Sequence, residues 1–467
     1  MILFELNTRL THERLDRLAD PHLYRLAALG FDAIWLMGIW RIGQKTIEES
    51  RTISPDFQGS PYAIAEYEVS PELGGEPALR AFVEQAHSLG IKVLVDFIPN
   101  HMGVDSPLVS EHPDWVIHED HSLRDIHGDD TFDHPQGRLA HGKDPYFPAW
   151  SDTVQLDYGS PGLRAHQIAI LERLAGIVDG VRCDMAMLVL REQVKGLWYP
   201  KLDPKRFDER YPEEFWSEAT RKVRAKNPDF VFLAEVYWDK EAYLQQLGFD
   251  LTYDKHLFDL LAHDKPAAEV AGHLRDRPVD YHRRSTHFLE NHDEDRAAVR
   301  FGPRARPAAL LSYGIPGAPF VHMGQMQGFT EKIPVQRLAP LNREKPDAEL
   351  ERFYAKLLGL VKDPLFREGD FEVLGVIEGV LGLVRRHEGR AAIVAARLGG
   401  GDPKAANPAF AVPLSRLGLQ GPVRARDLWS GAVVEHAPGD DGVLRFAAGV
   451  VPSFLENQGF LLELTPG

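Results

Sequence analysis

The sequence predicts an α/β chain: a (β/α)8 TIM barrel with a small domain inserted after the third strand, followed by a C-terminal antiparallel β-sandwich. Three observations predict it. Eight short apolar runs alternate with amphipathic stretches over the first two-thirds of the 467 residues, the pattern of strands joined by helices around a parallel sheet. The connection between the third and fourth runs is too long for a plain loop. Beyond residue 369 the helical period gives way to short alternating segments broken by Gly and Pro, as in a sandwich.

The expected strands lie at 3–7, 33–37, 93–97, 178–183, 230–234, 250–253, 287–289 and 319–322. Helical periodicity fills the intervals. Leu79, Phe82, Val83 and Ala86, for example, share one face and stop before Gly90, where a helix end needs a left-handed residue. Eight such units in roughly 360 residues suit a barrel with insertions. The expected division is a barrel over 1–101 and 159–368, an inserted domain over 102–158, and a sandwich over 369–467. Gly399, Gly400 and Gly401 are read as a hairpin loop.

Lys plus Arg number 53 and Asp plus Glu 69, a formal charge of −16, and 44% of residues are hydrophobic. The surplus of acid argues against nucleic acid or anionic lipid as partner, and the hydrophobic content suffices for a sizeable core. Cys183 has no cysteine to pair with, so nothing calls for an oxidising compartment. With no basic, apolar leader at the start and no membrane-length apolar run, a cytoplasmic location is expected. No pattern specifies an oligomeric state.

Four of the apolar runs lead into a carboxylate: Asp96, Asp184, Glu235, and the pair Glu290 and Asp293. One acid so placed usually caps a helix. Four at corresponding strand ends would converge on one face of a parallel barrel. Without clustered Cys or paired His ligands, that set points to proton and glycosyl chemistry rather than metal hydrolysis. Arg182 precedes Asp184 by two residues, hence shares its strand face, and is expected to hold it ionised. Glu235 sits between Phe-Val-Phe-Leu-Ala and Val-Tyr-Trp, an apolar setting that favours a protonated acid.

These segments carry a family resemblance. Asp96-Phe-Ile-Pro-Asn100-His101, Gly180-Val-Arg182-Cys-Asp184, Phe232-Leu-Ala-Glu235 and Phe288-Leu-Glu-Asn291-His292-Asp293 resemble, in order, the four sequence regions of the α-amylase family, glycoside hydrolase family 13. The resemblance covers almost the whole chain. It implies Asp184 as nucleophile, Glu235 as acid/base and Asp293 as the acid that binds sugar hydroxyls and stabilises the transition state. Arg182, His101 and His292 would line the same subsite, and Tyr62, in Gly-Ser-Pro-Tyr, looks like the family tyrosine that stacks under the sugar.

Several positions depart from the family pattern. Secreted α-amylases usually carry His two residues before that tyrosine, where this chain has Ser60, and Lys-His after the nucleophile, where it has Met187 and Leu188. Asn100 matches one calcium ligand but reads on its own as a hydrogen-bonding residue, so no cofactor is required and calcium stays open. Gly324-Gln325-Met326 replaces Gly-Glu-Glu, which removes two charges expected at the mouth. Lys332 to Arg337 add cations that would either be solvated or recognise a sugar phosphate. In the insert, His118, His121, His127, His134 and His141 form no metal-ligand spacing, while Tyr146, Phe147 and Trp150 are candidate sugar platforms.

The function expected is retaining hydrolysis of α-1,4 linkages in malto-oligosaccharides or starch-like glucans through a covalent glycosyl-enzyme. A transglycosidase of the same family (4-α-glucanotransferase, maltosyltransferase or sugar phosphorylase) is the alternative. A non-catalytic binding or assembly subunit is the reading from a different class, and the presence of all three acids opposes it.

Overall fold

The computed structural model describes residues 1–467 apart from 12, 121–127, 339–343, 400–408, 437–440 and 467. His121, His127 and most of the expected glycine hairpin lie outside the described residues. Eight strands close into a parallel barrel: β1 (Leu3–Asn7), β2 (Ala33–Met37), β3 (Lys92–Phe97), β4 (Gly180–Cys183), β5 (Val231–Ala234), β6 (Leu251–Tyr253), β7 (Ser285–His287) and β8 (Ala318–His322). Each pairs with its neighbours in sequence order, and β8 returns to β1. Nearly every residue of these strands is buried, because helices cover the outside and packed side chains fill the inside.

The helices follow their apolar stripes. In α1 (Leu15–Leu29), Leu15, Leu18, Leu23 and Leu26 are buried, and Gly30 ends the helix at φ +86°. In α2 (Gly75–Ser88), the stripe Leu79, Phe82, Val83 and Ala86 is buried, and Gly90 takes φ +74° just beyond. Ser160 caps α3 (Pro161–Leu174), with proline at the first turn, where its missing N–H costs nothing.

Strand β7 lies two residues earlier than the 287–289 expected from hydrophobicity. Its residues Ser285, Thr286 and His287 are polar yet buried, each satisfied locally: Ser285 donates to the Tyr281 carbonyl at 2.7 Å, Thr286 to Thr252 at 3.1 Å, and His287 to Pro316 at 2.8 Å. The apolar Phe288 and Leu289 that drew the expectation are buried in the turn that follows.

In the long connection after β3, the strand His101–Gly103 pairs antiparallel with Thr153–Gln155, and Thr131–His134 pairs with Gly137–Ala140. Past the barrel, β9 (Asp370–Ile377), β10 (Val380–His387), β11 (Arg390–Arg397), β12 (Ala409–Pro413), β13 (Val423–Asp427), β14 (Val433–His436), β15 (Val443–Ala447) and β16 (Gly459–Pro466) form two antiparallel layers. One is a six-stranded sheet in the order β9-β10-β11-β16-β13-β14, the other the pair β12-β15. Val380, Val384 and Ile393 from the first pack with Phe410, Val412, Leu444 and Phe446 from the second. Among the described residues no helix is long and apolar enough to cross a membrane.

Candidate active site

Arg182 occupies the centre of β4 with no exposure, opposite Asp96 on β3 and Leu233 on β5. Its Nη1 donates to Oδ1 of Asp184 and its Nη2 to Oε2 of Glu235, both at 2.7 Å. One guanidinium therefore joins the two acids, so their separation is limited to two hydrogen bonds and the width of that group. The rings of Trp35, Tyr62 and Tyr253 stand 5.0, 5.2 and 5.9 Å from the guanidinium carbon. Burial opposes the arginine charge, but Glu235, the surrounding tyrosines and Asp184 hold it firmly protonated.

The backbone holds both acids at the strand ends. Asp184 N–H donates to the Phe97 carbonyl at 2.8 Å, and Glu235 N–H to Cys183 at 3.0 Å, which continues the ladder past the strands. Cys183 is free and buried, on the strand face opposite Arg182. Glu235 receives two further bonds: Met185 N–H at 2.8 Å on Oε2 and the Tyr237 hydroxyl at 2.6 Å on Oε1. Met185 reaches this position with φ +41°, and Trp238 and Asp239 follow the acid at φ +63° and +57°. Such left-handed non-glycine residues cost roughly 1–3 kcal/mol each and concentrate at functional sites.

Burial pushes Glu235 up; Arg182 opposes it, while Asp184 and Asp293 add to the rise. That is the direction expected for a proton donor. Asp184 also rises, driven by burial with Arg182 pulling the other way. Arg182 alone would hold Asp184 ionised, but desolvation and the nearby charge of Asp293 outweigh the cation, which only restrains the rise.

Tyr62, His292 and Asp293 form one hydrogen-bonded group. His292 Nε2 lies 2.7 Å from the Tyr62 hydroxyl and 3.0 Å from Asp293 Oδ2, and its Nδ1 lies 2.6 Å from Glu5. Burial disfavours the imidazolium, but Asp293 and Glu5 hold the ring charged well above the ordinary histidine range. Burial also acts to raise Asp293, yet His292 outweighs it and sets that carboxyl to about 2. His101 is buried, 5.0 Å from the Trp150 ring, and burial lowers it to about 4. All seven residues named from the sequence therefore lie on the same end of the barrel or its first excursion.

Two partners were not read from the sequence: Glu5 and Tyr237. Glu5 is a charge inside the apolar run 3–7, and a carboxylate in a fully buried strand is itself a signal. Asp96 instead serves the barrel rim, accepting from Trp35 Nε1 at 3.1 Å and Gly38 N–H at 2.8 Å. Glu290 is likewise internal, paired with Arg296 at 3.0 Å.

The departures also find places. Ser60 Oγ accepts from Tyr62 N–H at 3.2 Å and so fixes the turn that presents the ring. Met187 and Leu188 are buried in the core. Gln325 is buried too, bonded to the hydroxyls of Tyr313 and Tyr354 at 3.0 and 3.2 Å, so the expected change at the mouth does not arise there. Lys332 donates to the Asp293 carbonyl, while Arg337 pairs with Asp56. Asn100 sits in a buried hydrogen-bonded corner, its carbonyl and side-chain oxygens both accepting from Gln155 Nε2 at 3.0 Å.

Residues 20–368 match the family model described as alpha amylase, catalytic domain. Alpha-amylase MalA of Haloarcula japonica is 26% identical over 327 residues, 67% of this chain and 41% of the relative. The alpha-1,4-glucan:maltose-1-phosphate maltosyltransferase of Salinibacter ruber is 27% identical over 345 residues, 68% of this chain and 45% of that protein. The chain thus spans less than half the length of these curated relatives. Among solved structures, the maltogenic alpha-amylase AmyB of Thermotoga neapolitana superposes with a TM-score of 0.75 at 23% identity, covering 100% of this chain and 99% of that one. An alpha-amylase from Lactobacillus plantarum does so at 0.72 and 25% identity, covering 99% and 98%. With three-quarters of its length inside the family model and its strand-end acids gathered around Arg182, the chain belongs to the alpha-amylase family.

Proposed function

We propose that this chain is a retaining glycoside hydrolase that cleaves α-1,4 linkages in malto-oligosaccharides, with Asp184 as nucleophile, Glu235 as acid/base and Asp293 as stabiliser of the transition state. The observation that carries the reading is the pair of 2.7 Å bonds from Arg182 to Asp184 and Glu235. In the first step the Asp184 carboxylate bonds to the anomeric carbon, the glycosidic C–O bond breaks, and the Glu235 proton goes to the departing oxygen. In the second, Glu235 takes a proton from water, whose oxygen displaces Asp184. Both acids begin the next cycle unchanged.

Tyr62 offers an aromatic face to the sugar, and His101, His292 and Arg182 line the same subsite. Asp293, held ionised by His292, is half-exposed and free to accept from sugar hydroxyls. Beyond it, Tyr146 and Phe147 are strongly exposed, and the Tyr146 ring meets Trp238 at 5.0 Å, an aromatic rim joining the insert to the loop after Glu235. Such a rim suits a short oligosaccharide. The chemistry needs no cofactor, and the lone buried cysteine and acidic charge suit a cytoplasmic enzyme without nucleic-acid or membrane partners.

The second reading is transfer of the glycosyl group to a sugar or phosphate, favoured by Lys332, which is exposed and bonded to the Asp293 carbonyl. Product analysis from maltoheptaose, with and without phosphate and a labelled acceptor, tests both. Shorter sugars of retained anomeric configuration support hydrolysis, products longer than the substrate or a sugar phosphate support transfer, and inverted anomers overturn the covalent mechanism.

A further inference from the structure

We propose that Asp254, His273 and His282 form a binding site for a divalent transition-metal ion, zinc by preference, on the outer side of the barrel wall and separate from the sugar site. One donor atom from each lies within 4.8 Å of the others, and all three residues are buried. Asp254 follows β6 and caps α4 (Lys255–Ala262), accepting from Leu257 N–H at 3.0 Å. His273 lies on α5 (Ala267–Asp276), and His282 on α6 (Val279–Arg283).

The hydrogen bonds leave buried ring nitrogens without partners in and beside this group. His282 Nε2 donates to the Leu274 carbonyl at 3.1 Å, so its Nδ1 is the unprotonated nitrogen, and that atom is buried without a partner. The same holds at His287, fully buried, whose Nε2 donates to Pro316 at 2.8 Å while Nδ1 has no partner and faces Asp254 Oδ2 at 3.5 Å. Two imidazole lone pairs thus accompany a carboxylate, and only His273, with Nε2 at 3.0–3.1 Å from Asp254, has a proton to share among them. An unsatisfied buried acceptor costs about 1–3 kcal/mol. A cation bound by Asp254, His273 and His282 would give the His282 lone pair the partner it lacks.

Imidazoles with one carboxylate suit zinc, bound tetrahedrally at about 2.0–2.2 Å, whereas calcium and magnesium take sets built of oxygen. A ring nitrogen tied to a backbone carbonyl is the usual outer support of a metal-bound histidine, and it is present on His282. His287 Nδ1 lies 3.5 Å from Asp254 Oδ2 but outside the group of three whose donor atoms converge, so the fourth position would fall to water. The ion would draw the three side chains inward and join β6, α5 and α6 to one another. His282 also packs on Phe371 of β9 at 5.5 Å, so the clamp would bear on the seat of the C-terminal sheet. Its effect is on stability rather than on the glycosyl chemistry.

The test is cobalt titration of the full chain after dialysis against a chelator, followed by visible absorption, with melting measured against zinc concentration. The expected result is one cobalt per chain with tetrahedral ligand-field bands, and a melting temperature that rises with zinc. His282→Asn and Asp254→Asn each weaken cobalt binding by on the order of tenfold or more, and Asp184→Asn leaves it unchanged. Absence of bands and of any zinc-dependent melting shift in the unmutated chain overturns the proposal and leaves a metal-free hydrogen-bond network. Equal binding by a folded His282→Asn variant overturns it as well.

Discussion

Oε1 of Glu5, in the middle of β1, lies 2.6 Å from Nδ1 of His292, in the loop after β7, and both side chains are buried. The other ring nitrogen of His292 faces Asp293. The charge that keeps Asp293 ionised is therefore supplied by a histidine that is itself held protonated by a residue on β1.

Glu5→Gln removes one of the two anions that raise His292. Its pKa falls, and Asp293 loses part of its cation and rises above about 2. Stability changes with it. A histidine raised in the folded state stabilises fully below its unfolded pKa of about 6.5 and loses that contribution as pH climbs through the folded value. The variant is expected to be less stable at pH 6 than the parent. Proton NMR titration of His292 with urea unfolding at pH 6 checks both.

Tyr237→Phe removes the hydroxyl bond to Glu235 at 2.6 Å. A donor to the ionised carboxylate lowers its pKa, so the variant raises Glu235 further and carries the alkaline limb of the pH profile upward. A loss of roughly 2- to 10-fold in kcat at the optimum is expected, well short of the 10²–10⁴-fold that general acid catalysis supplies.

Arg182→Leu leaves Asp184 and Glu235 buried without their shared cation. Breaking a buried ion pair by removing one partner costs about 3–5 kcal/mol. Because the stranded carboxylates can take up protons, the cost measured by urea unfolding shrinks from pH 7 to pH 5, and activity is lost at both.

Tyr146→Ala is expected to raise KM for maltoheptaose several-fold and to leave kcat nearly unchanged, since the ring is exposed and touches Trp238 rather than the acids. A fall in kcat with unchanged KM would assign the ring to the reacting centre instead. Steady-state kinetics on maltotriose and maltoheptaose distinguish the outcomes.

The legible parts of the fold were those in which one physical signal dominates. Strands β1 and β2 match 3–7 and 33–37 residue for residue, because a run buried on both faces is mostly apolar, with Glu5 and Asn7 the polar exceptions in β1. Strand β7 escaped because its polar side chains are satisfied inside the barrel wall by Tyr281, Thr252 and Pro316. At the site, the acids were legible from strand-end placement. The bond from Tyr237 to Glu235 was not, since an aromatic residue in an apolar run gives no sign of where its hydroxyl goes. Asp254, His273 and His282 come from a strand end and two helices, so their irregular spacing carries no motif.

In the proposed mechanism Asp184 carries the sugar between the two steps. Incubation with a fluorinated glucosyl fluoride that slows the second step, followed by proteolysis and mass spectrometry, measures this directly. One added glycosyl mass is expected on the peptide containing Asp184, absent in Asp184→Asn. A label on a different carboxylate, or release of the inverted anomer with no labelled enzyme at any time, would contradict it.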